Sequence, residues 1–114
     1  MKAELRNGER IIKEGAANLQ KNIEAVGGKL YLTNQRLIFE GHKLNLQSGA
    51  VEVEISNIQS AQPAWTKLLG LLPIFPNSLC VYSKQGKEYR FALFGRGAWA
   101  AAIVATVQGA NARD

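Results

Sequence analysis

Apolar and polar residues alternate along this chain until about residue 94, where the period changes. Arg10–Leu19 offers Ile11, Ile12 and Leu19 among small residues and reads as a weak first strand, with Asn22–Val26 as its hairpin partner. Lys29–Thr33 and Arg36–Glu40 are β-rich runs separated by Asn34-Gln35, a hairpin pattern. Leu30 and Leu32 would share one face, as would Leu37 and Phe39. His42–Ala50 is mostly polar and reads as a loop, though Leu44 and Leu46 alternate enough for a short strand. Val51–Ile55 alternates strictly, which turns its valines to a core and Glu52 and Glu54 to water. Ser56-Asn57-Ile58 reads as a turn with a buried Ile58, followed by a strand near Gln59–Thr66. Ser78–Ser83 and Lys87–Leu93 form a second hairpin around Gln85-Gly86, with Tyr89, Phe91 and Leu93 on one face. After Gly95, Trp99, Ile103 and Val107 fall four residues apart, a helical stripe over Ala98–Val107, and Gly109 marks its stop.

The pattern therefore predicts a mainly β chain of about seven short antiparallel strands and one closing helix. A small sheet of this kind has open edges, and curling into a barrel removes most of them. A helix carrying Trp99 into an open end would complete the core.

Composition narrows the chemistry. The chain has 114 residues, 46% of them hydrophobic and 20% charged, which suits one compact domain over residues 1–114 with its core at about 8–108. Its only Asp is Asp114, its only His is His42 and its only Cys is Cys80. Metal sites and most catalytic constellations draw on these three residue types, so catalysis, metal binding and cofactor chemistry are disfavoured. Cys80 lies between Leu79 and Val81 and reads as a core thiol. MKAELRNGER is charged and lacks the apolar run of a secretory signal, and Ala98–Val107 is too short to cross a bilayer. The expected location is cytoplasmic, with peripheral association at the inner face of a membrane.

The formal charge is +5. Residues 1–50 hold eight Lys/Arg against five Glu, and residues 51–114 hold six against four acids. No run of adjacent basic residues exists, which argues against nucleic acid and is compatible with weak attraction to an anionic membrane.

The phrase Gly27-Gly28-Lys29-Leu30-Tyr31-Leu32-Thr33-Asn34-Gln35-Arg36-Leu37-Ile38-Phe39 resembles the signature of the GRAM domain family. Gly8-Glu9 before the first strand, Ile55-Ser56-Asn57-Ile58 before the fifth, and Tyr89-Arg90-Phe91 leading to a helix with Trp99 and Ile103 fit the same order. The resemblance implies a pleckstrin-homology-like, partly open barrel of two nearly orthogonal sheets with a C-terminal helical cap. It also implies a non-catalytic module that binds membrane lipid or a protein partner. Pleckstrin-homology relatives cluster basic residues around the first inter-strand loop to bind headgroups. The matching Leu19–Glu24 has one Lys and one Glu, too few donors to converge on an inositol phosphate.

The unusual segment is Lys67-Leu68-Leu69-Gly70-Leu71-Leu72-Pro73-Ile74-Phe75-Pro76, apolar where a polar hairpin loop is expected. Gly70, Pro73 and Pro76 argue against a regular strand, and Leu68, Leu69, Leu71 and Leu72 could form one helical turn. Such a segment covers its own barrel, joins a partner or second copy, or inserts into a membrane. Trp65, just before it, reads first as a buried strand residue and otherwise as an interfacial anchor. The candidate contact set is Trp65, Lys67, Leu68, Leu69, Leu71, Leu72, Ile74 and Phe75. The expected partner is an anionic phospholipid surface. The alternative is a protein-interaction or self-associating scaffold using the same loop, a homo-oligomer. Lone His42 reads as a solvated loop residue, Gly27-Gly28 as strand geometry, and Gly95-Arg96-Gly97 as a flexible helix entry.

Overall fold

The structure, a computed structural model, describes residues 1–21, 24–42, 50–68 and 72–112, with backbone alone at 67, 68 and 72–75. These residues form β1 (Ile11–Lys21), β2 (Glu24–Thr33), β3 (Arg36–Gly41), β4 (Val51–Glu54), a 3-10 turn at Ile55–Asn57, β5 (Ile58–Leu68), β6 (Leu72–Ser83), β7 (Glu88–Leu93) and helix α1 (Arg96–Ala112). All strands pair antiparallel in the order β4-β3-β2-β1-β7-β6-β5, so β4 and β5 are the edges of a curled, partly open barrel. β1 joins the two halves: it runs along β2 for its whole length and pairs β7 only over Ala17–Gln20.

The expected alternation supplies the interior. Leu19, Leu30, Leu32, Leu37, Phe39, Val53, Ile58, Leu79, Val81 and Phe91 form one buried cluster with Trp99 and Ile103 of α1. Fully burying each such large side chain contributes about 1.5–3 kcal/mol. The Phe39 and Phe91 rings meet at 5.8 Å across the two halves. Trp99 is buried in this cluster beside Gly15 of β1, with Lys13 Nζ 5.3 Å above its ring.

Several expectations change. Glu24–Val26 and Lys29–Thr33 belong to the single strand β2, which runs through Gly27-Gly28, and Asn22 and Ile23 lie outside the described residues. Gly28 is required there: a Cβ would collide with the Glu40 carbonyl and lie 2.7 Å from the Phe39 ring and 2.8 Å from Gly41 Cα. Gly109 does not stop α1, which continues to Ala112. Tyr31 and Ile38 are buried although they alternate with the core leucines. The N-terminal segment crosses that second face, where the backbone N–H groups of Lys2 and Ala3 donate to Glu40 at 2.9 and 2.7 Å. The possible short strand at Leu44 and Leu46 lies outside the described residues.

Pro73 and Pro76 fall inside β6, against the expectation of a loop. β7 pairs with β6 only over Ser78–Tyr82, so the first half of β6 has no partner on that side. A proline's missing N–H is tolerated where a strand has an open side. Leu68 pairs with Leu72, which excludes a helical turn for those two residues.

Candidate functional site

Antiparallel pairing aligns Ala64, Ser78 and Ala92 across β5, β6 and β7. Beyond that row, β5 and β6 continue alone as a hairpin, while β7 ends at Leu93. At about 3.3 Å per residue, the six residues of β6 before Ser78 extend roughly 20 Å past the row. Of the sequence-selected set, Lys67 and Leu68 close β5, and Leu72, Ile74 and Phe75 open β6. The side chains of these five, and Leu69 and Leu71 entirely, lie outside the described residues. Trp65, read first as a buried strand residue, is instead 48% exposed. The reason is topological: it sits on the edge strand β5, beyond the last paired residues of β6 and β7.

The base of the hairpin is pinned by side chains reaching along the sheet. Arg90 Nη1 donates to the Trp65 carbonyl at 2.8 Å, and Arg96 Nη1 donates to the Ala64 carbonyl at 2.6 Å. The Thr66 hydroxyl lies 2.6 Å from the Ser78 hydroxyl and 2.5 Å from Asn77 Oδ1. Sequence reasoning missed Phe94, which is 96% exposed at the end of β7. Its signal was an aromatic out of phase with Tyr89, Phe91 and Leu93 and followed directly by Gly95.

At the opposite layer the signature phrase forms a polar lock. The Thr33 hydroxyl accepts from the Gln35 and Arg36 backbone N–H groups, closing the turn, and donates to Glu9 at 2.6 Å. The Arg36 guanidinium pairs with Glu9 at 2.9 Å and Glu52 at 2.7 Å, and donates to the Glu4 carbonyl. Asn34 accepts from the Arg10 N–H and donates to the Gly8 carbonyl, and Gln35 donates to the Asn7 carbonyl. Arg6 pairs with Glu54 at 2.7 Å. Burial opposes the Glu9 carboxylate, yet hydrogen bonds from Arg36, the Arg6 N–H and Thr33 hold it down at about 2. Glu52 and Glu54 are thus ion-pair partners in the structure and not merely solvent-facing.

Other chemistry is sparse. Cys80 is buried, which pushes its thiol up and keeps it protonated. His42 is an exposed turn residue whose N–H donates to the Gly27 carbonyl. Among the described residues, no three His, Cys, Asp or Glu side chains converge on a metal position, and no helix is long and apolar enough to cross a membrane. Gly95, at φ 77°, turns the chain into α1 and accepts from the Trp99 N–H.

The fold has close structural relatives at low sequence identity. The C-terminal domain of an unknown protein from Leishmania infantum matches with a TM-score of 0.73, 14% identity, and coverage of 90% of this chain and 87% of that one. The Vps36 N-terminal PH domain gives 0.71, 17%, 96% and 86%. The Slm1-PH domain, solved in complex with phosphoserine, gives 0.63, 15%, 86% and 96%. The architecture is therefore pleckstrin-homology-like. The GRAM domain profile matches residues 1–107, and the chain belongs to the GRAM domain family. A search of the curated proteins finds no match.

Proposed function

We propose that this chain is a non-catalytic binding module that docks on an anionic phospholipid surface through the free end of the β5–β6 hairpin. Membership in the GRAM family supports a binding module, and the pleckstrin-homology-like relatives support a lipid or protein partner. The observation that carries the membrane reading is Trp65, half-exposed at the base of an apolar hairpin that outruns its neighbouring strand. Between Ile55 and Lys87 the sequence has no acidic residue, so nothing on this hairpin repels an anionic headgroup. Apolar contact supplies most of the affinity and Lys67, with the dispersed Lys/Arg, a salt-sensitive remainder. The location that follows is cytoplasmic, peripheral at a membrane face.

Sedimentation with phosphatidylcholine vesicles, with and without phosphatidylserine, tests this directly. Binding should require phosphatidylserine and weaken as salt rises. Indifference to both vesicle types would sink the membrane reading. If light scattering then reports a dimer that Leu71→Ser dissociates, the same hairpin is a subunit interface.

A further inference from the structure

Resting on the membrane reading above, we propose that Phe94 is a second bilayer-contact residue, paired with Trp65, so that two aromatic rings fix which end of the sheet meets an anionic membrane. Among the described residues the exposed large apolar side chains are Met1, Leu5, Ile12, Trp65, Phe94 and Val104. Only Trp65 and Phe94 are aromatic, and the strand pairing puts both toward the same end of the sheet, on or directly after strands that flank β6. Each lies beyond the row Ala64–Ser78–Ala92, in the direction of the hairpin end. Isolated exposed leucines and valines are ordinary on a protein surface, but a Phe left 96% in water is not.

The Phe94 backbone is bracketed by fixed residues. Leu93 still pairs with Ala17 of β1, and Arg96 is tied to the Ala64 carbonyl at 2.6 Å. Gly95 makes the intervening turn. An aromatic on a pre-ordered bend enters an interface without the entropic cost of ordering a loop. Aromatic rings also favour the headgroup level of a bilayer. Arg96, two residues on in sequence, Lys67, two residues past Trp65, and Arg90, which donates to the Trp65 carbonyl, add positive charge, and the sequence has no acidic residue from Ile55 to Lys87. That charge complements an anionic lipid surface.

The orientation distinguishes positions that composition alone would treat alike. Val104 lines a groove of about 230 Å³ with Ile58–Ala61, at the far end of β5. Ile12 lines one of about 320 Å³ with Arg10, Asn34 and the second half of α1. Neither should touch the bilayer.

With vesicles of phosphatidylcholine and phosphatidylserine, Phe94→Ser should bind about tenfold more weakly with an unchanged melting temperature. Ile12→Ser and Val104→Ser should stay within about twofold of wild type. Tryptophan emission from Phe94→Trp should shift to the blue on binding and be quenched by brominated acyl chains. Unchanged binding by Phe94→Ser, or unmoved Phe94→Trp emission while the protein sediments, overturns the assignment of Phe94 and leaves the membrane reading standing. Wild-type protein that sediments with neither vesicle type overturns both.

Discussion

The two halves of this barrel treat charge in opposite ways. Residues 1–54, which build β1–β4 and the N-terminal segment, hold eight basic and seven acidic residues, a balance of +1. Residues 55–114, which build β5–β7 and α1, hold six basic and two acidic residues, a balance of +4. In the first half the charges cancel through named pairs: Arg6–Glu54, Lys29–Glu14, Arg36–Glu9 and Arg36–Glu52. In the second, the described residues show one pair, Arg90–Glu88. Among the described residues the exposed large aromatic side chains, Trp65 and Phe94, belong to the second half as well. One layer pairs most of its charges internally, and the other keeps aromatic and basic groups available to something else. The +5 that looks dispersed along the sequence is asymmetric once the chain is divided where the structure divides it.

The largest test of that contrast is at Glu9. Its side chain is fully buried beside an Arg36 that is 6% exposed, so Glu9→Gln removes the buried carboxylate of the pair and leaves Arg36 with only the part-exposed Glu52. Breaking such a pair costs about 3–5 kcal/mol, which should lower the melting temperature by more than about 10 °C. Below the new midpoint, vesicle binding should be unaffected. A parallel loss of binding would mean that the layers are not separable.

Acid should act through the same carboxylate. The Glu9 carboxyl is held at about 2 against an ordinary value of 4.5, so its contribution is complete above pH 4.5 and is lost as the pH falls toward 2. That difference corresponds to about 3 kcal/mol. Denaturation by urea across this range should show the decline in wild type and a flatter limb in Glu9→Gln.

Gly28→Ala should come next. The added methyl meets Phe39, Gly41 and the Glu40 carbonyl, backbone that cannot step aside, and overpacking of this kind costs about 1–3 kcal/mol. Gly15→Ala is the control, because its Cβ would sit 3.6 Å from the Trp99 ring, an ordinary contact. Equal losses at both positions would remove the special status of the β2–β3 approach.

How much of this was readable in advance divides along the same line. The seven strands and the stripe of Trp99 and Ile103 follow from period, because each face of the sheet selects its own residue type. The Glu9–Arg36 lock does not, since it joins residues 27 apart and an arginine in a strand reads as surface. The buried second face of β2 and β3 is equally hidden, because its cover is held by backbone N–H groups that carry no sequence signal. Pro73 and Pro76 argued against a strand, and only the early end of β7 explains their place. The candidate contact region was legible as an apolar run. Phe94 was not, because its place at the same end of the sheet as Trp65 depends on how three strands register.

The smallest effect should come from Lys84→Ala combined with Lys87→Ala, and its smallness is informative. Both lysines are exposed in the β6–β7 turn, between Ser83 and Glu88, at the opposite end of β6 from the hairpin tip. The eleven steps from Leu72 to Ser83 separate the ends by roughly 36 Å at 3.3 Å per residue, several times the ~8–10 Å screening length of physiological salt. If the bilayer is met hairpin first, these two charges contribute little, and the double variant should bind phosphatidylserine vesicles within about twofold of wild type. Lys67→Ala, at the hairpin itself, should cost more and reduce the salt dependence. The reverse ranking would put the membrane at the β6–β7 turn and reassign the exposed aromatics to a different partner.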